Sequence, residues 1–435
     1  VQGVDFSEAA ARFVPALGAV LSLLLVADLA AMLLNRRAAA IAALVWLSSY
    51  FLFDEFRKAM ADPYLAFFAL LCVWAWIKAS VCRGKSVWLL AIFYASFALG
   101  SLAKFPVNLL HVGVAILVYH VCFGGKRTPS PGTPGEGFQS HLGRAPGPWY
   151  GHLFGVVIYL LLGMPWPIYV VTQVPHVREI WRYESIGEFS DNTEKARPFF
   201  MYLGDMFKLA LPWTPMWVVG IFASGMRSNA RRRLFATLWF AIELIIFSIS
   251  NVKKDTYLLP LMPAITLMTV QGIQTMLAMF RHRRGKKLPS WLIVSQIGIG
   301  VGWAIVVPLL GMAIGLPNPA ARLGVTVALV VFALLPLAVW LIKGGRAWFV
   351  TQAIVYAVLI LLFYQASFYL SENTRSAREV AARVTMMLKQ PGVTINPVTL
   401  PEEASMYLPL NLHFNPHAPH ELFIFDDPRN ELKPD

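Results

Sequence analysis

The chain has 435 residues, of which 57% are hydrophobic and 14% are charged, and its formal net charge is +13. A soluble domain carries about 25% charged residues, so the composition excludes an ordinary soluble protein and indicates a chain that crosses a membrane many times. The basic residues fall mostly in short segments between apolar runs. Membrane topology and anionic lipid therefore explain the positive charge better than nucleic acid does.

Twelve apolar segments of about 15–25 residues are predicted to span the membrane. In chain order they cover 13–34, 39–53, 63–80, 87–103, 105–122, 152–173, 200–224, 234–250, 257–280, 291–315, 320–343 and 347–370. One alternating set of connectors carries 18 Lys and Arg residues and the other set carries 9. By the positive-inside rule the first set is cytoplasmic, and both ends of the chain lie outside.

The remaining segments predict two domains. Residues 1–370 form a transmembrane domain, in which 123–150, with its TPSPGTPGEG run, is predicted as a disordered cytoplasmic insert. The connector 174–199 mixes aromatic residues with charges of both signs, which favours an external amphipathic segment that rims a cavity. A capping-box spacing and two strand-like runs predict a small extracytoplasmic α/β domain at 371–435.

A cluster of ionisable residues separates two long apolar runs between positions 54 and 62. It contains Asp54, Glu55, Arg57, Lys58 and Asp62. A charge carried to the centre of a bilayer costs roughly 2.5–3.5 kcal/mol, so such residues lie at a water-facing edge or in a polar cavity. We therefore predict that this cluster belongs to a site on the outer face.

The predicted topology brings further ionisable residues to the same face. They are Lys104, Glu184, Glu188, Arg197, Asp205, Lys253, Lys254 and Asp255. A carboxylate near a cavity can act as a base or hold a hydroxyl group, and lysines with a tyrosine can hold a phosphate. Each of them could instead be a solvated loop residue. We favour a functional role for Asp62, Lys254 and Tyr257.

Other ionisable residues have open interpretations. Glu243 lies inside a predicted span, where it is either functional or part of a structural hydrogen bond to Ser248 or to a neighbouring helix. The segment HFNPHAPH places His413, His417 and His420 near one another, but the prolines around them favour a surface loop over a metal site. The three cysteines have no metal-ligand spacing, and a disulfide framework is not predicted.

Four segments together resemble a known family. KAMADPYLAFF at 58–68 and ALGSLAKFPVNLL at 98–110 are followed by MPWPIYV at 164–170 with its downstream ARPFFMYL and LPW, and then by SISNVKKDTYLLPLMP at 248–263. Their order and spacing resemble the GT-C membrane glycosyltransferases, in the branch of the lipid A 4-amino-4-deoxy-L-arabinose transferases and the relatives of the protein O-mannosyltransferases. Phe105 stands where that family usually has Gly.

The resemblance implies roles for particular residues. Asp62 matches the second family carboxylate and is the catalytic candidate, whereas Tyr257 and either Lys253 or Lys254 match residues near the lipid phosphate. Further candidates to line the cavity are Asp54, Glu55, Lys58, Lys104, Glu184 and Arg197. The family carries its catalytic base in a long loop after its first span. Because the chain begins at Val1, we expect that loop to lie upstream of it.

The resemblance implies a polyprenyl-phosphate-sugar-dependent glycosyltransferase at the outer face of the cytoplasmic membrane, with a lipid or protein acceptor and inversion at the sugar. No cofactor is assigned, and a divalent metal stays open. Ser185 replaces a family His, and Glu188 replaces a family Arg, which weakens the case for a metal and for aminoarabinose as the sugar. A transporter or lipid flippase is the alternative, although we detect no internal repeat. An inactive scaffold that binds lipid-linked sugar is a third hypothesis.

Overall fold

The computed structural model describes residues 8–124, 142–173, 177–182, 197–223, 230–251, 253–282, 319–343 and 347–362, apart from two single positions in the last range, and a few isolated residues near 294–298. The described residues form helices and connecting turns, without a β-strand among them. The helices are α1 Glu8–Leu33, α2 Arg36–Leu47, α3 Tyr50–Phe56, α4 Ala61–Val81, α5 Ser86–Ala103, α6 Val107–Phe123, α7 Trp149–Gly163, α8 Pro165–Gln173, α9 Val177–Arg182, α10 Met201–Leu209, α11 Thr214–Ala223, α12 Ala230–Ile249, α13 Met262–His282, α14 Pro319–Lys343 and α15 Val350–Leu359. Short 3-10 helices cover Arg83–Lys85 and Asp255–Leu261.

The fold is that of a multi-pass membrane protein. Within the described ranges, six helical stretches are long and apolar enough to cross a bilayer, or seven if the bent pair α2–α3 counts as one span. Shorter apolar helices include α6, α11 and the second part of α12. The count of twelve spans is not confirmed, and the predicted span at 291–315 lies almost entirely outside the described residues.

Two of the predicted spans are not continuous helices. In place of the span 39–53, α2 and α3 meet at a bend of 62°. At the bend, the Ser48 hydroxyl donates to the carbonyl of Leu44 at 2.6 Å and accepts from the Trp213 indole at 2.9 Å. The predicted span 200–224 is divided into α10 and α11 around Pro212, because proline cannot supply the backbone N–H that a continuous helix requires.

The chain forms two compact units. The larger comprises residues 8–300 and 331–358 and contains the site described below. The smaller comprises 1–7, 301–330 and 359–435, and its described residues, at 319–330 and next to 359, are helical. The predicted C-terminal α/β domain lies outside the described residues.

The predicted insert at 123–150 differs from the structure at its C-terminal end. Leu142 is buried, and the backbone N–H of Gly143 donates to the Tyr119 hydroxyl at 2.8 Å. Helix α7 then begins at Trp149. Gly143 is therefore bonded to α6 and Gly147 lies against Ser86 and Leu90 of α5, whereas residues 125–141 lie outside the described part of the chain.

Helix α4 brings the site residues together. It packs against α1, α5, α6 and the 3-10 helix Asp255–Leu261. Its first turn holds Asp62, whose negative charge is stabilised by the helix dipole, and Pro63, which is tolerated there because first-turn N–H groups have no partner within the helix. The N-terminus of α4 thus faces the turn after α5 and the start of the 3-10 helix.

The turn between α5 and α6 is braced by a buried asparagine. The side-chain amide of Asn108 donates to the Phe97 carbonyl at 3.0 Å and to the Ser101 hydroxyl at 3.3 Å. Gly100 makes room for this side chain, since a Cβ at that position would lie 2.8 Å from its amide atoms. The brace fixes the backbone from which Lys104 projects.

Helices α11 and α13 approach each other through two glycines. A Cβ on Gly220 would overlap the Met268 carbonyl, and a Cβ on Gly272 would overlap the Met216 carbonyl. We expect Gly220→Ala and Gly272→Ala each to lower the free energy of unfolding by about 1–3 kcal/mol through overpacking. Unfolding in mixed micelles measures this. Gly113→Ala in α6 is the control, because nothing lies within 4 Å of its ideal Cβ. An equal loss in the control would contradict the explanation.

Candidate functional site

Asp62, Lys104, Lys254 and Tyr257 come together at one place. The Lys104 ammonium donates to Asp62 Oδ1 at 3.1 Å and lies 4.4 Å from the centre of the Tyr257 ring. The Lys254 ammonium lies 6.0 Å from the centre of the same ring. Both distances fall within the range of cation–π attraction. Two ammonium groups therefore flank one aromatic ring.

A cavity of about 580 Å³ opens beside these residues. Its wall comes from the end of α5, the turn into α6, α7, α8, α9, the end of α12 and the 3-10 helix. The lining residues are Ser101, Leu102, Ala103, Lys104, Phe105, Pro106, Val107, Tyr159, Gly163, Met164, Trp166, Pro167, Trp181, Phe247, Ser250, Lys254 and Tyr257. Among these residues only the two lysines carry a formal charge, so the wall is mainly apolar and aromatic, with two serines and a positive region.

The structure separates the two neighbouring lysines. Lys253 is 3% exposed, and its ammonium donates to the carbonyls of Arg197, at 3.0 Å, and of Ser250. Burial lowers the pKa of Lys253 below its ordinary value. Lys254 is exposed and lines the cavity. Of the two candidates for holding a phosphate, the geometry brings only Lys254 to the cavity.

Tyr202 holds the backbone that carries Lys254, and the sequence analysis did not identify this residue. Its hydroxyl donates to the Lys254 carbonyl and accepts from the Lys254 N–H, both at 3.1 Å. The side chain is fully buried. A tyrosine at the start of α10, 52 residues away along the chain, is therefore part of the frame of the site.

Asp62 lies behind the cavity wall. It is 6% exposed, is absent from the lining residues and contacts the cavity through Lys104. The sequence identified Asp62 as the catalytic candidate. In the structure its ion pair orients the Lys104 ammonium, and a catalytic role for Asp62 stays a prediction.

The cluster at positions 54–58 does not line this cavity, contrary to expectation. Lys58 donates to Asp54 at 2.9 Å and to Glu55 at 2.7 Å, and Arg57 pairs with Asp54 at 3.1 Å. Burial lowers the pKa of Lys58, but the hydrogen bonds to Glu55 and Asp54 outweigh it, and the pKa is raised overall. The paired residues are about one helical turn apart, on α3 and the turn after it, so they neutralise one another locally.

The other candidate residues have different positions. The backbone N–H of Arg197 donates to the Asn251 carbonyl at 3.1 Å, and its exposed side chain is not part of the cavity wall. Glu184 and the three histidines at 413–420 lie outside the described residues. Within the described ranges, no group of three or more His, Cys, Asp and Glu residues could hold a metal ion.

Glu243 makes a buried hydrogen-bonded pair. Its carboxylate is 2.5 Å from His111 Nδ1 and accepts from the Trp239 indole at 2.6 Å. His111 and Glu243 are 1% and 0% exposed. The bond to a neighbouring helix was one of the two interpretations of Glu243, but the sequence did not identify His111. His111 also stacks at 5.0 Å on Phe247, which lines the cavity.

Comparison with known proteins agrees with this architecture. Residues 3–130 match the family described as dolichyl-phosphate-mannose-protein mannosyltransferase. The undecaprenyl phosphate-alpha-4-amino-4-deoxy-L-arabinose arabinosyl transferase 2 of Proteus mirabilis is 28% identical over 316 residues, which cover 69% of this chain and 51% of that protein. The corresponding transferase of Edwardsiella ictaluri is 26% identical over 325 residues, with the same coverage. The chain thus spans about half the length of the curated relatives it matches.

A solved structure has the same fold. The crystal structure of ArnT from Cupriavidus metallidurans bound to undecaprenyl phosphate superimposes with a TM-score of 0.65 at 19% identity, over 92% of this chain and 70% of that one. At this identity the likeness establishes the fold alone. The chain is therefore a multi-pass membrane protein with the fold of that transferase, and its sequence is similar to those of the aminoarabinose transferases.

Proposed function

We propose that this protein transfers a sugar from a polyprenyl-phosphate donor to a lipid or protein acceptor at the outer face of the cytoplasmic membrane, with inversion. The observation that carries the proposal is the pair of ammonium groups, Lys104 and Lys254, beside Tyr257 at a mainly apolar and aromatic cavity. A phosphate on an isoprenoid chain needs this combination of positive charge and apolar surface. The relatives' names, which include undecaprenyl phosphate, support the same ligand class.

The proposed chemistry follows from the positions of the charges. As the bond between the sugar carbon and the phosphate oxygen breaks, the leaving phosphate gains negative charge. Lys104 and Lys254 stabilise that charge because both line the cavity in which it develops. The acceptor hydroxyl attacks from the opposite face of the sugar and gives its proton to a base. No described residue of the cavity wall is a carboxylate, and Asp62 acts here by positioning Lys104.

The proposal includes a topology. In it the chain crosses the membrane twelve times, with both ends, the cavity and the α/β domain at 371–435 on the outer side. Supporting it, helices overlap every predicted span outside 291–315, and the Lys and Arg residues are concentrated in one alternating set of connectors. Cysteine labelling of intact cells at positions 60 and 84 tests it: the first position should react with an impermeant maleimide and the second should not.

The test of the function is a pair of assays on the purified protein in liposomes. Binding of undecaprenyl phosphate is measured first, with undecaprenol as the control that lacks the phosphate. We expect binding that depends on the phosphate, and equal binding of the two lipids would overturn the proposal. A flux assay then follows a fluorescent polyprenyl phosphate across the bilayer. Flux that exceeds that of protein-free liposomes would support the transporter alternative.

A further inference from the structure

Lys104 has two neighbours that compete for it. Its ammonium is 3.1 Å from Asp62 Oδ1 on one side, and on the other it lines the cavity and lies over the Tyr257 ring. The Lys104 side chain is 30% exposed, whereas the Asp62 side chain is 8% exposed. A lysine ammonium has three N–H donors. In this ion pair the Asp62 carboxylate is buried and fixed, whereas the Lys104 ammonium is accessible and can turn further towards the cavity.

Asp62 does not depend on Lys104 alone for its stability. It lies in the first turn of α4, where the helix dipole favours a negative charge. Loosening the ion pair therefore leaves the carboxylate in a favourable place. This makes exchange of Lys104 between Asp62 and a bound anion possible without an isolated buried charge.

The charge of the ligand changes during the proposed reaction. A polyprenyl-phosphate sugar is a phosphodiester with one negative charge. Cleavage between the sugar carbon and the phosphate oxygen leaves a polyprenyl phosphate monoester, which carries about −1.5 to −2 near neutral pH. The proton that balances this charge is the one lost by the acceptor hydroxyl. The product therefore attracts Lys104 more strongly than the donor does.

We propose that Asp62 competes with the lipid phosphate for Lys104, and that this competition weakens binding of the monoester product and so promotes its release. The inference rests on the proposed function. In the donor complex Lys104 is shared with Asp62. As charge develops on the leaving group, Lys104 moves towards the phosphate, so its contact strengthens along the reaction, as a catalytic contact must. After transfer, Asp62 recovers Lys104 and the product leaves.

The experiment measures dissociation constants in nanodiscs for three lipids: undecaprenyl phosphate, its methyl phosphodiester and undecaprenol. Asp62→Asn should tighten binding of undecaprenyl phosphate by about fivefold, a typical size for coupling between two sites. The singly charged methyl phosphodiester should gain less, and undecaprenol should not change. In the Lys104→Met background, adding Asp62→Asn should have no effect on any of the lipids.

Asp54→Asn is the matched control. It removes the same charge from the same part of the fold, but Asp54 pairs with Arg57 and Lys58 and does not line the cavity. It should leave binding of undecaprenyl phosphate unchanged, which separates local competition from a general change in surface potential. If Asp62→Asn does not fold, Asp62→Ser keeps a short hydrogen-bonding group in the first turn and replaces it.

Two results would overturn the inference in different ways. Unchanged or weaker binding of undecaprenyl phosphate by the Asp62 variants would make Asp62 a structural residue, while the proposed function would stand. Failure of the wild-type protein to distinguish undecaprenyl phosphate from undecaprenol would remove the proposed function and the inference together.

Discussion

Replacing Lys254 with Met is expected to weaken binding of undecaprenyl phosphate by about ten- to a hundredfold, with little change in stability. A hydrogen bond that involves a charged group contributes roughly 1.5–3 kcal/mol, which corresponds to a factor of this size. Lys254 is exposed at the cavity and its ammonium lies beside Tyr257, so a folded protein tolerates the change. A titration with the lipid in nanodiscs measures the loss, and a melting curve of the same sample checks the fold.

The neighbouring residue provides the matched control. Lys253→Met removes a buried ammonium that bonds to two backbone carbonyls. Leaving such carbonyls without a donor costs about 1–3 kcal/mol. We therefore expect a lower melting temperature for this variant and unchanged lipid affinity of the folded fraction. The opposite pair of results would reject the assignment of Lys254 to the phosphate: lipid binding lost in Lys253→Met and retained in Lys254→Met.

Glu243→Ala is expected to lower the free energy of unfolding by roughly 3–5 kcal/mol, since it breaks a buried pair and leaves its partners unsatisfied. The carboxylate accepts from the Trp239 indole and bonds to His111. Both Glu243 and His111 are almost fully buried. Removing the carboxylate leaves the indole and the imidazole without a partner between α6 and α12. Unfolding in mixed micelles measures the loss.

Glu243→Gln distinguishes hydrogen bonding from packing. Its amide oxygen can still accept from the Trp239 indole, and its amide nitrogen can donate to His111 Nδ1. We expect this variant to retain most of the stability that Glu243→Ala loses. Equal losses in the two variants would mean that the hydrogen bonds are not what stabilises this contact.

Much of the site could be predicted because topology alone decides which connectors share a face. The predicted spans placed Asp62, Lys104, Lys254 and Tyr257 on one side. In the structure both ammonium groups lie beside the Tyr257 ring, and Asp62 pairs with Lys104. The family resemblance contributed the order of the segments. The multi-pass helical fold followed from composition and hydropathy, because only helices and closed barrels can satisfy backbone groups within a bilayer.

The features that could not be predicted depend on the direction of single side chains. Lys253 and Lys254 are adjacent, and the local path of the backbone decides which of them turns into the protein. Asp54, Glu55 and Lys58 looked like cavity residues because of their charge, yet their spacing of three and four positions lets them bond to one another. His111 gave no signal because a single histidine in an apolar run is compatible with many partners.

The two hydrogen bonds of Tyr202 affect the entropy that the protein loses when a lipid binds. Its hydroxyl joins both backbone polar groups of Lys254, so the main chain at this point is rigid before any lipid arrives. Ordering a flexible loop during association consumes part of the favourable contact energy. At Lys254 the ligand therefore restricts the side chain but not the main chain, which lowers the entropic penalty of association at this residue.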